Sequence, residues 1–318
     1  MYEPEDIFVI DQPAWSVEPT GTPMSSISYS TDGTKVVYSN ENNQLIIINS
    51  LDGQYVQKLA QTYTTNPTIM CAFHPIQDNL VLQTCKDGFI FLHNRNTSEI
   101  QSMNRHLGSN IVGADVDPFG ESFAIACADG SIRIHDFESL QRTKALVKMT
   151  GRASGSQNAA IHDILYHSED SNLVLSAVGN DRVHIWDVRS GNSERCIIGP
   201  HIRGKGLAMY DNTVVTASFR DIKMLEMWDF GSSKKIKELS SGINLNAVSI
   251  AKNGLVMAIC SHALNNLQVL EYTSQQSIGQ PSPIKNQIIT LSISPYGTSI
   301  ICGSEQGDAA CYMVRVKQ

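Results

Sequence analysis

His162-Asp163 is an adjacent pair of the kind that can serve as a general base with an orienting carboxylate. Such a pair does chemistry only with a nucleophile or a polarised substrate beside it, and no nucleophile motif is readable near it. Neighbours in a strand also point to opposite faces, so the two side chains are not expected to cooperate. His93, His135 and His184 each follow an apolar run. His93 and His135 fall at equivalent places in different repeats and so cannot share an ion; they are expected to be structural stand-ins for tryptophan. None of the Gly-x-Ser-x-Gly, Gly-x-x-x-x-Gly-Lys, His-Glu-x-x-His or Cys-x-x-Cys patterns occurs, and each is the minimum geometry its chemistry requires. The expectation is a chain that is not an enzyme and holds no cofactor and no metal.

The elements that carry these residues repeat. Leu173–Arg189 reads as strand, Gly179-Asn180-Asp181 turn, and strand ending at Trp186-Asp187, a hairpin signal. With Trp186 as anchor, equivalent positions are Ile48, His93, His135, Trp228, Leu270 and Tyr312, at spacings of 45, 42, 51, 42, 42 and 42 residues. A second ruler, Ile27, Cys71, Ala114, Ile164, Leu207, Val248 and Leu291, gives 44, 43, 50, 43, 41 and 43. A period of roughly 40–45 residues with four strands per unit is a propeller signature, and seven units fill the chain. The fold class is therefore all-β, one seven-bladed β-propeller over residues 1–318. Its blades cover approximately 24–62, 66–104, 109–147, 159–199, 203–240, 244–280 and 286–318. The final unit has only three strands, which leaves an outer edge open. Ile7–Ile10, within the 1–22 lead-in, is expected to close it. The 149–158 segment, MTGRASGSQN, is Gly/Ser/Asn-rich loop chemistry and accounts for the stretched spacing between units three and four.

Composition narrows the partners. The chain is 42% apolar with net charge −7, which argues against a nucleic-acid footprint or binding to an anionic membrane surface. Seven cysteines, mostly at strand positions, read as buried reduced thiols. The N-terminus has no basic-then-apolar leader, and no run reaches the roughly 18 apolar residues of a spanning helix. A cytoplasmic or other reducing setting is expected.

SAVGNDRVHIWDVRSG, IACADGSIRIHDFES and LQTCKDGFIFLHN, with the corners Phe73-His74-Pro75, Val116-Asp117-Pro118 and Ile293-Ser294-Pro295, resemble the WD-repeat hairpin. The resemblance implies a propeller that binds proteins or peptides. Only units four and five keep the Trp-Asp ending, and the family's Gly-His pair is missing. The buried Asp–His brace it supplies is thus not expected, and packing between blades would carry more of the stability. Units four and five, with GPHIRGKGLAMYDNTVVTASFR, also resemble blades of ciliated and flagellated protist proteins. That implies a structural role in cilia, flagella or centrioles. Trp186-Asp187-Val188-Arg189 resembles the ending of cullin-type ubiquitin ligase receptors, where Arg189 would contact an adaptor.

The expected function is a non-catalytic interaction scaffold, a monomeric domain inside a larger cytoplasmic, cytoskeletal or nuclear complex. Its contact face is expected where inner-strand entrances and hairpin turns gather. Ser25, Ile69, Val112, His162, Lys205, Asn246 and Ile289 stand at the entrances. Asp87, Asp129, Asn180, Asp181, Arg182, Phe219, Arg220 and His262 stand at the turns. The Phe219-Arg220 turn is longer than its siblings and pairs an aromatic with an arginine, both common interface anchors. The run Lys234, Lys235, Lys237 reads as a solvated turn and outer strand.

Overall fold

A computed structural model describes residues 7–24, 26–39, 42–146, 160–179, 181–220, 222–239, 244–261, 266–281 and 284–316. They form a seven-bladed propeller of antiparallel sheets, with no helix among the described residues. The inner strands are Ile27–Tyr29, Thr68–Phe73, Ile111–Val116, Ile161–Tyr166, Leu207–Tyr210, Leu245–Ile250 and Ile288–Ile293.

The period reflects a structural equivalence. Each anchor residue pairs with the same position of its second strand: Ile48 with Val36, His93 with Val81, His135 with Phe123, Trp186 with Val174, Trp228 with Val214, Leu270 with Met257 and Tyr312 with Ile300. In the first six blades the pairing with the outer strand shifts register at or beside this column. A bulge there re-aims side chains. The Trp186 and Trp228 indole N–H groups donate to Ser176 Oγ at 2.9 Å and Thr216 Oγ1 at 3.0 Å. His93 Nε2 meets Gln83 Oε1 at 2.9 Å from the same column, so the histidine reproduces the tryptophan's bond with a longer acceptor. His135 instead reaches the Leu140 carbonyl at 3.0 Å.

Second strands are buried on both faces and third strands over most of their length, as Leu80–Cys85 and Phe89–Asn94 show, whereas the outer strand Glu99–Arg105 is largely exposed. A strand sandwiched between neighbouring blades must be apolar on both faces, which explains the continuous apolar runs. The core is a ring of seven apolar clusters, one at each blade interface.

The ring shuts through the lead-in. Ile7–Val9 pairs antiparallel with the last strand, Ile7 opposite Val316 and Val9 opposite Val314. A second short strand, Trp15–Val17, follows Pro13 and pairs with Cys311–Ala309 of that same strand. Trp15 packs where blade seven meets blade one, and its indole N–H donates to the Ser50 carbonyl at 2.9 Å. Pro13 interrupts the outer strand, which is why it comes in two pieces.

The missing Gly-His pair does not leave the hairpin turns unbraced. Asp87 accepts from Thr64 Oγ1 at 2.8 Å and Asn66 Nδ2 at 3.3 Å, and Asp308 accepts from Asn286 Nδ2 at 3.0 Å. These donors lie in the links entering blades two and seven, so short polar side chains brace those two turns.

Candidate functional site

Antiparallel strands put two kinds of connection on each ring face. The entrance face collects the links into inner strands and the turns between second and third strands. The opposite face collects the turns between inner and second strands and between third and outer strands.

The entrance residues share one geometry. Ile69, Val112, His162, Asn246 and Ile289 each occupy the register shift of their inner strand. A bulge gives one residue no ladder partner and turns it outward, and all five are half-buried at the channel mouth. Ser25, Asn180 and His262 lie outside the described residues.

Blades four and five bring several candidate residues together. Asp181, at φ +60°, ends the turn of blade four, and its Oδ1 lies 2.6 Å from His201 Nδ1. Arg203 donates Nε–H to His201 Nε2 at 3.1 Å. The Arg203 guanidinium lies 5.0 Å over the Phe219 ring, within cation–π range, and Phe219 N–H donates to the His201 carbonyl at 2.7 Å. His162 stands beside this chain, where Gly179 leaves room for its ring: a Cβ there would lie 3.0 Å from His162 Nε2. Burial first, then Arg203 and His201, lower the His162 pKa and favour its neutral form. Arg182 is exposed. Arg220 is half-buried, and its Nε and Nη2 have no hydrogen-bond partner among the described residues. A buried guanidinium nitrogen without an acceptor forfeits a strong hydrogen bond.

Sequence reasoning passed over His201 and Arg203 as site residues. The available signal was their alternation within GPHIRGKG, a link with three basic-type side chains and no carboxylate.

The other candidates separate. Asp87 belongs to blade two. Asp129 caps its own turn, accepting from Ser131 N–H and Oγ at 2.9 and 2.6 Å, and pairs with Arg133 at 3.4 Å. Arg189 lies on the opposite face, in the turn after the third strand of blade four. Its guanidinium bridges Asp187 at 2.8 Å, which holds that carboxyl down at about 2.

His162 and Asp163 do diverge. Asp163 Oδ2 accepts the Leu207 N–H of the next blade at 2.9 Å, and Oδ1 accepts its neighbour Ile164 N–H at 3.0 Å. Asp115 does likewise one blade earlier, taking the Tyr166 N–H at 2.7 Å, and Ser26 Oγ accepts the Cys71 N–H at 3.0 Å. These side chains stitch inner strands together around the channel. Asp115 and Asp163 are raised to about 7, mainly by burial, and Lys205, which faces both and Cys71, is lowered for the same reason. Two carboxylates and an ammonium thus share the wall.

At the opposite mouth the channel widens into a cavity of about 800 Å³ lined by all seven blades. It is walled by Tyr29, Phe73, Phe119, Tyr166 and Tyr210, with Asp115 in the wall and Glu169, Asp211 and Lys252 among the lining residues. Among the described residues no three His, Cys, Asp or Glu side chains are placed to hold a metal, and no helix is long and apolar enough to cross a membrane. No protein family matches the sequence, and no curated relative of it was found.

Proposed function

We propose that this chain is a non-catalytic protein–protein interaction scaffold of the WD-repeat kind, which docks an acidic peptide segment on the entrance face over blades four and five. β-Propellers commonly serve as such platforms. The observation that carries this site is the exposed pair Arg182 and Arg203 beside the Asp181–His201–Phe219 chain, with the half-buried Arg220 next to it. A carboxylate or phosphoryl group from a partner would meet the exposed Arg203 guanidinium in the bidentate geometry arginine favours. Arg182 and Arg203 add positive charge on a chain that is acidic overall.

The test is affinity purification with mass spectrometry of the tagged parent, Arg203→Ala/Arg220→Ala and Arg189→Ala. The proposal expects the main partners to be lost from the double variant and kept by Arg189→Ala. Loss of a cullin adaptor with Arg189→Ala alone would favour the ligase-receptor reading; that residue's side chain is 69% exposed despite its bridge. Tubulin or axonemal proteins among the partners would favour the ciliary role. The cytoplasmic setting is supported by seven free thiols, six of them buried.

A further inference from the structure

We propose that the cavity at the opposite mouth is a second binding site, which accepts an arginine or lysine side chain presented by a peptide partner. It rests on different residues from the entrance-face site and stands or falls separately.

The volume, about 800 Å³, suits one or two inserted side chains. Pro75, Pro118 and Pro295 stand among the aromatic rings of the lining. Aromatic faces attract a cation once water is excluded. The charged groups select its sign. Asp117 is consumed by the fold, accepting from Phe119 N–H, Ser122 N–H and Oγ, and Ser171 Oγ. Glu169 and Asp211, exposed on adjacent blades, have no hydrogen-bond or ion-pair partner for their carboxylates among the described residues. Asp115 offers a third carboxylate deeper in the wall. Lys252 is the one lysine or arginine lining the cavity.

The surroundings repeat this bias. The seven turns between inner and second strands carry seven carboxylates and one lysine, so a cation is drawn to this mouth and an anion repelled. Those turns also expose Ile76 at 69%, Phe119 at 49%, Leu255 at 42% and Tyr296 at 63%. A free amine would leave these side chains in water, whereas residues flanking a peptide-borne cation would cover them. That favours a peptide as the source of the charge.

The experiment selects phage-displayed random dodecapeptides on the immobilised full chain and measures synthetic representatives by fluorescence anisotropy. Enriched peptides are expected to share an arginine or lysine and to lose about tenfold or more in affinity when it becomes glutamine. The same loss is expected on Glu169→Gln/Asp211→Asn, two exposed positions that leave the fold intact. Asp115→Asn, which keeps an acceptor for Tyr166 N–H, should weaken binding further, and Arg203→Ala/Arg220→Ala should not change it. Failure to enrich any peptide, enrichment of peptides without a basic residue, or indifference to the carboxamide variants overturns the proposal. Competition by spermidine as effective as by the peptide reassigns the cavity to free amines and overturns it too.

Discussion

The two mouths of the channel are made by the same seven strands, entered and left, yet their charges differ: Asp87, Asp129 and Asp181 are mixed with Arg182, Arg203 and Arg220 at the entrance mouth, whereas the inner turns of the other mouth are almost wholly acidic. Around the entrance mouth of blades four and five, the link 199–206 carries His201, Arg203 and Lys205 with no carboxylate. Around the other mouth, the turns carry seven carboxylates against Lys252. Second-strand positions answer to packing on both faces and leave little room for charge. The connections are free of that demand, so a propeller can give its two faces different partners without altering its core.

The mouths can be broken separately. Gly88 (φ +91°), in an entrance-face turn, would place a Cβ 2.1 Å from the His106 backbone oxygen; Gly120 (φ +76°), on the other face, would place one 2.3 Å from the His74 ring. Backbone cannot move aside, whereas a ring can tilt. Gly88→Ala should therefore cost about 3 kcal/mol or more and Gly120→Ala about 2 kcal/mol, read as shifts in urea midpoint.

Inverting charge tests the contrast directly. Glu169→Lys/Asp211→Lys should abolish binding of basic peptides and spare entrance-face partners, with stability changed by less than about 0.5 kcal/mol. Arg203→Glu/Arg220→Glu should do the reverse in the same binding assays. Loss of both partners from either variant would erase the distinction between faces.

A pH series separates the channel wall from the blade interiors. His93, His106 and His184 are lowered to about 4, chiefly by burial. Their unfolded forms take up protons near pH 6.5, so stability is lost as pH falls from about 6.5 towards 4. Asp115 has the opposite sign. It faces Lys205, Asp163, Asp117 and the N–H groups of Tyr166 and Val116, and its pKa is raised to about 7. Its contribution is present at low pH and lost as pH rises from the unfolded value near 4 through about 7. Asp115→Asn should therefore gain on the parent over that range, by about 1–2 kcal/mol at the half-buried wall, and level off above it. Thermal melts at intervals of pH would show a flat difference instead if the carboxyl were fully solvated. The smallest effect expected is Phe219→Ala, about 0.5–1 kcal/mol from the lost stacking of Arg203, measured by urea titration.

Much of the architecture was legible because packing repeats. Trp186 and its six equivalents fall on one structural column, and five of the seven entrance positions coincide with described bulges. Ile7–Val9 could be placed because a three-strand final unit leaves an edge to cover. Trp15–Val17 was not, since Pro13 masks a strand that resumes after it. Thr64, Asn66 and Asn286 were not recognised as braces, because a short polar residue in a link carries no local mark of the aspartate it will meet. Arg189 carried a family-like ending, but its place on the far face follows from strand direction.

By itself, the order of residues settled how many sheets form and how the first residues complete the last, since both follow from local alternation and a constant interval. Only the tertiary structure decided which charges share a mouth. Glu169 and Asp211 lie 42 positions apart, and Asp115 is farther still. Their field combines because the ring folds each turn back to a common axis, where Coulomb forces depend on separation in space and not along the chain.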